Sequence, residues 1–491
     1  MAISISVLNT PTDLEPINAP LWFRVNSASS ALTDFKYVFI PQFKLEPFAS
    51  TGYTTLGTYR IPPRPVNGDG LFSPHRALKS FIQTQINPFI TTLTLSAEAS
   101  SLLDYRVKYG FELNPNKIFT DTINVSGNMG LTFSTAHDFI AGDIITVNKD
   151  NKNFNPQYDG TCSVVSVVNT LSIKTDKVFS TTLLANESGY ITNQYRISGT
   201  SSDFYTWNGT RQYDERTKDF TKYIIGTVSA GSGGKFLTNY DVNVYKPIRL
   251  DDYETLSVIL PSSPLYPYYV SVNTFRSDNT LIATYGLTFS ATNTYRKVDI
   301  PSGPMNLINL GIPFATVGAN IVDNYTIHIK NLQFGFPTSV SEFRKYKIDN
   351  TCSNYEKQRI VFLNRLGGYD YFNFTLDSKR TLGITRTEYE KMLNWNYTIG
   401  DRGKTLLAQK AEIKMTIVSN WITETDSIWL EELLTSPEVF LLNTNADPTL
   451  NTKLPIIITD NSYEVKTYLR NQLFNLTLNY KFGYDLNLQN E

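Results

Sequence analysis

RIVFLNRLGGYDYFNF, residues 359–374, joins an apolar run, a glycine pair and an aromatic run without a catalytic side chain among them. Ile360, Val361, Phe362 and Leu363 read as a short buried strand, and the chain from Tyr369 to Phe374 resumes as an aromatic one. Gly367 and Gly368 let the backbone reach positive φ between them, so the stretch predicts a hairpin or sharp corner. Arg365 and Asp370 flank the turn and are placed to pair across it, which would brace the loop. With no partner histidine, cysteine or second carboxylate nearby, the element reads as architecture, and Asn364, Arg365, Gly367, Gly368 and Asp370 are its structural residues.

Composition extends that reading to the whole chain. At 491 residues, roughly three or four domains are expected, since single cores seldom grow beyond about 250–300 residues. The 30 Tyr and 29 Phe, with abundant Thr, Val, Ile and Asn, fit pleated surfaces and turns better than helices. A mainly β, multidomain protein follows, built of β-sandwich or jelly-roll and small β-barrel modules with a few short helices. The 44 basic and 45 acidic residues leave a net charge of −1, so electrostatic attraction cannot dominate any affinity for nucleic acid or anionic lipid. Neutral surfaces, other proteins or glycans, are the expected partners.

Cys162 and Cys352 lie far apart, which excludes a disulfide framework or structural zinc and makes both packed thiols. The opening MAISISVLNTPTDLEP has no basic start and apolar core, and no apolar run approaches a membrane span, so a soluble protein made in the cytoplasm is expected. The sequons at Asn208 and Asn475 then carry no weight.

Along the chain, LWFRV and FKYVFIPQF give strands before the proline corner YRIPPRPVNGDG, residues 59–70, which reads as an exposed arm or crossover. SPHRALKSFIQTQI then places Ala77, Leu78, Phe81 and Ile82 at helical spacing behind Pro74. Short strands between turns from 118 to 191 predict a small β-barrel inserted into an N-terminal domain of residues 1–117 plus 192–232. Its His137, Asp138 and Asp143 lack the spacing that converges metal ligands. The glycine patch at 229–234 fails both the P-loop and the dinucleotide register, because Phe236 follows Gly234-Lys235, and reads as a flexible interdomain loop. Residues 233–337 predict a jelly-roll-like sandwich. Tyr266, Tyr268 and Tyr269 are its candidate glycan-facing aromatics, and His328 sits with Thr326 and Lys330 on the solvent face of a half-buried strand.

Residues 338–491 form the last β-rich domain. TDSIWLEELL, residues 425–434, is a capped short helix, containing Trp429, that ends at Ser436-Pro437. Glu431 and Glu432 point about 100° apart and belong to a solvated face, not an acid/base pair. Ile413, Met415 and Ile417 share one strand face, and Phe474 to Phe482 alternate apolar and polar.

FLNRLGGYDYFNF, WLEELLTSPEVFL and PIIITDNSYEVKT with NLTL resemble the C-terminal half of virion structural proteins from tailed bacteriophages of Bacteroidota hosts, crAss-like phages included. PINAPLWFRVNS, FKYVF and YRIPPRPVNGDGLF are similar to the start of the same proteins, and the turns around Ala136-His137-Asp138-Phe139 and Tyr158-Asp159-Gly160 resemble barrel modules inserted in phage virion proteins. The resemblance implies a component of a homo-oligomeric ring in the tail or head–tail connector, assembled in the bacterial cytoplasm beside other tail or portal-proximal proteins. It brings no catalytic, cofactor or metal residue, so no enzyme activity is expected. A glycan-binding host-adhesion protein is the alternative.

Overall fold

Strands dominate the computed structural model, which describes residues 3–484 apart from 33, 45–51, 91–100, 150–157, 180–186, 216–217, 227–232, 262–267, 290–295, 319, 334–335, 352–354, 402, 445–449 and 461–472. The protein is mainly β, with several separate sheets and short helices at His75–Lys79, Pro304–Asn309 and Glu424–Thr435. It divides into two units, Met1–Gln83 with Ala99–Asn208, and Thr84–Glu98 with Gly209–Glu491.

In the first unit, the strand Lys36–Lys44 runs antiparallel to Leu102–Leu113 over its whole length. Alternate residues of the two strands point into one aromatic core with Phe23, Phe35 and Phe204, where Tyr37, Phe39, Tyr105 and Phe111 are completely buried. The proline corner is not a free arm. Asp69 is buried and accepts from Arg24 Nε at 2.5 Å and Asn26 Nδ2 at 2.6 Å, while Tyr37 Oη donates to the Gly68 carbonyl at 2.7 Å. Those bonds tie its end, Gly68 to Gly70, back onto its own unit, while Tyr59, Arg60, Pro62 and Arg64 to Asn67 stay exposed.

Six strands of the same unit pair in a closed circuit: Lys117–Val125, Asn128–Phe133, Ser172–Val178, Gly160–Asn169, Ile144–Lys149 and Gly189–Thr200, the last returning to the first. This small barrel has an apolar cluster of its own, including Phe119, Leu131, Ile145 and Ile173. Asp143 is buried as the counter-ion of Arg196, with Nε–Oδ1 at 2.6 Å and Nη2–Oδ2 at 2.8 Å. Among the described residues no three His, Cys, Asp or Glu gather around a metal position. Cys162 lies in the barrel core, where burial pushes its thiol up to about 12; Cys352 is outside the described residues.

The second unit holds a sandwich and a helix-backed sheet. In the sandwich, Lys246–Ile248, Arg344–Ile348, Asn324–Gln333, Tyr268–Phe275 and Leu281–Phe289 form the main layer, and Thr255–Leu260 with Arg296–Pro301 forms the facing one. Gly233 and Gly234 are packed into this unit, the Gly234 N–H donating to the Val340 carbonyl at 2.9 Å, so this part of the glycine patch is not a flexible linker. The remaining sheet runs Tyr369–Phe374, Gln358–Leu363, Val439–Asn443, Thr452–Ile458, Thr477–Phe482, Lys404–Val418 and Ser378–Glu390, every neighbour antiparallel. Ile360 and Phe362 face a cluster with the helix residues Trp429, Leu430 and Leu433, while Val361 and Leu363 enter a second cluster with Tyr369 and Tyr371. Burial on both faces accounts for the unbroken apolar run IVFL.

His328 departs from expectation. Alternation places it opposite Ile327 and Ile329, but the outer face is covered there, and His328 is only 1% exposed with its ring 4.2 Å from that of Phe343. Burial, helped by nearby Lys330, pushes its imidazole down to about 4, against about 6.5 in an unfolded chain. The unfolded state therefore binds the proton first as pH falls. His328's contribution is complete above about pH 6.5 and is lost toward pH 4, by roughly 3 kcal/mol. Denaturant unfolding between pH 7.5 and 4.5 should show a shallower loss of stability in His328→Gln than in the wild type; parallel pH profiles would refute this.

Candidate assembly site

The turn at 364–368 works as a clamp inside the second unit. Asn364 Oδ1 accepts from the Leu366 and Gly368 N–H groups, each at 3.0 Å, and its Nδ2 donates to the Leu237 carbonyl at 2.8 Å and Asp370 Oδ2 at 3.0 Å. Gly367 adopts φ 78°, the left-handed conformation that glycine enters without a Cβ penalty. Gly368 is needed for space, because a Cβ there would lie 2.2 Å from the Leu237 oxygen. Asn364, Gly367, Gly368, Asp370 and Trp429 thus meet at one place, with Trp429 Nε1 donating to Asp370 Oδ2 at 3.0 Å.

Asp370 does not brace the loop through Arg365. It is 2% exposed, and its carboxylate is held by Asn364 and Trp429. Burial raises its pKa, opposed by Lys246, Trp429, Thr238 and Asn364. Arg365 contributes its backbone instead, donating its N–H to Glu432 Oε2 at 2.9 Å. Glu432 also accepts from Asn239 Nδ2 at 2.7 Å and is 5% exposed, so it belongs to the clamp and not to a solvated face. Pro437 is exposed just past the helix end. The tyrosine shelf does not form as expected: Tyr268 is buried in the sandwich core, Tyr269 is half-buried beside Gly286, and Tyr266 is outside the described residues.

A feature that sequence reading missed dominates the surface of this unit. Ser378–Glu390 and Lys404–Val418 pair along their length, but among the described residues only Lys414–Val418 has a further strand neighbour, Thr477–Phe482. Beyond Lys414 the two strands leave the sheet as a bare ribbon about 30 Å long. Its apolar side chains are exposed, including Leu382 and Ile384 on one face and Leu407 nearer the tip. The tip is more extreme, with Met392 101%, Trp395 91% and Ile399 106% exposed and Tyr397 beside them. Ile413 and Met415, expected to continue the buried face of Ile417, fade to partial exposure as the strand emerges. The run MLNWNYTIG between two alternating stretches was the available signal.

At the ribbon's root lies a cavity of about 520 Å³ walled by Tyr240, Ile348, Phe372, Trp421, Ile422 and Trp429. Charged groups in its floor are already engaged. Arg359 donates to Asp252 and Glu254, each at 3.0 Å, and to Asn373 Oδ1 at 2.8 Å; Lys246 reaches Glu254 at 2.9 Å. Burial alone would raise the Asp252 carboxyl, but Arg359 and Lys357 outweigh it and hold the group below its usual range. These carboxylates are structural counter-ions, and the arrangement suits binding of apolar groups more than proton transfer.

No family model matches this chain, and no curated protein matches it. Among solved structures it is similar to a "Biofilm associated protein - BSP domain" at 9% identity, covering 85% of this chain and 93% of that one, with a TM-score of 0.13. It is also similar to "Phage phi92 endosialidase" at 10% identity, covering 100% of this chain and 70% of that one, with a TM-score of 0.17. Scores this low carry no conclusion about fold or function.

The clamp has a direct test. Gly368→Ala forces a methyl against the Leu237 carbonyl and should destabilise the protein by about 1–3 kcal/mol in equilibrium unfolding. A loss below about 0.5 kcal/mol, the usual range for surface changes, would show that the close approach is not constraining.

Proposed function

We propose that the chain is a structural subunit of a tailed-phage virion, assembling with copies of itself into a ring in the tail or head–tail connector. The bare ribbon carries this reading. Two-stranded ribbons are marginally stable in water, and exposed Trp, Tyr and Met side chains are the residue types enriched where proteins meet. Head-to-tail contacts between identical copies close into rings when the rotation allows. The sequence resemblance to tail and neck proteins of Bacteroidota phages points the same way, toward a subunit assembled in the host cytoplasm beside other tail or portal-proximal proteins. Charged groups spent on internal pairing favour a mechanical role over a catalytic one.

A glycan-binding adhesion role has one observation in its favour: Trp421 stands 63% exposed at the cavity mouth, in the manner of a sugar-stacking aromatic, beside Asn350 and Asn373. Retention of wild-type but not Trp421→Ala protein on a glycan array would favour it.

Native mass measurement of the full chain at micromolar concentration tests the assembly reading. Wild type should form a discrete species of many 55.6 kDa subunits, whereas replacing residues 391–403 by Asn-Gly should leave a folded monomer. A wild type that stays monomeric would overturn the proposal.

A further inference from the structure

Resting on the self-assembly reading, we propose that the apolar ribbon tip of one copy seats in the aromatic cavity of the next. The cavity lies at the root of the ribbon, lined by Thr375 just before its first strand and by Asn420 and Trp421 just after its second. A tip thirteen extended residues away stands about 40 Å from that root. A copy therefore cannot fill its own cavity without folding the ribbon back, and the contact joins neighbours head to tail.

Chemistry and size agree. The cavity's 520 Å³ falls within the roughly 300–1,000 Å³ that accommodates a buried organic group, enough for the Trp395 indole with a neighbouring tip side chain. Because the floor's Arg359, Lys246 and Asn373 are already hydrogen-bonded, an incoming group gains most by offering apolar surface to Tyr240, Phe372, Trp421 and Trp429. Buried Trp and Tyr anchors in such pockets supply most of the energy of many interfaces.

Charge also favours a second copy as the occupant. Residues 378–418 carry eight Lys or Arg and four Asp or Glu, a net of +4, which leaves −5 on the rest of a chain whose total is −1. Partly buried Asp323, Asp349 and Asp426 line the cavity, while Lys391 and Lys404 flank the tip. The basic ribbon is thus drawn toward the remainder of another copy more than toward another ribbon.

Mass photometry of mixed variants tests the contact. The tip variant Met392→Ser/Trp395→Ser and the cavity variant Trp421→Ala/Asn350→Arg change exposed side chains, and near-ultraviolet circular dichroism checks that each remains folded. Each alone should lose assembly by at least tenfold, while Trp395→Phe retains it. Mixed in equal amounts, the two damaged variants should form one intact tip-to-cavity contact and stop at a pair of chains. A cavity variant that assembles like wild type, or a mixture of folded variants that stays monomeric, overturns the contact while leaving self-assembly standing. A monomeric wild type overturns both.

Discussion

Arg359 is the side chain on which the second unit turns. It rises from the strand Gln358–Leu363, is 3% exposed, and is held by Asp252, Glu254, Asn373 and the Tyr253 carbonyl. Burying one guanidinium and two carboxylates costs several kcal/mol per ion, recovered only when geometry and hydrogen bonding are complete. Removing one partner would strand the others, so the network tolerates one arrangement of the helix-backed sheet against the 251–254 segment. Together with the Asn364 and Gly368 contacts to Leu237, it fixes the strand Gln358–Leu363 and its turn against the 237–254 segment.

The bare ribbon projects from the far end of the same sheet. Its cross-strand pairs hold the two strands in register to the tip, with one irregularity between Thr387 and Glu388, and among the described residues no further strand pairs with the stem beyond Lys414, where Leu382, Ile384, Leu406 and Leu407 stand exposed. Long uncovered edges are an aggregation hazard that proteins commonly blunt with charge. Lys379, Arg380, Arg386, Lys410 and Lys414 are distributed along these strands in that way. Between Lys391 and Lys404 the tip concentrates Met392, Trp395, Tyr397 and Ile399, an arrangement suited to one specific neighbour.

What the sequence made legible was local. The strand, glycine turn and aromatic strand at 359–374, the alternation toward Phe482 and the short helix expected from Thr425, which the structure starts at Glu424 with Thr423 as its cap, rest on spacing within a few residues that short-range rules can read. Distant partners were not legible. Glu432 is buried because the Arg365 N–H and Asn239 amide need an acceptor, and Asp370 because Trp429 and Asn364 need one. His328 alternates as an outward residue would, but alternation reports only which face a side chain occupies, not what later covers it. The ribbon was hidden because its polar alternation is ordinary for a half-buried strand, and the loss of neighbours beyond Lys414 is a matter of topology.

Hydrogen exchange along the stem, residues 383–411, measured in dilute subunits and in the assembled species, tests the central claim that a neighbour completes this element. The account predicts rapid exchange at the tip and outer strand edge in the dilute subunit and strong protection after assembly, with the 359–374 amides protected in both. Equal exchange of the ribbon in the two states would contradict it.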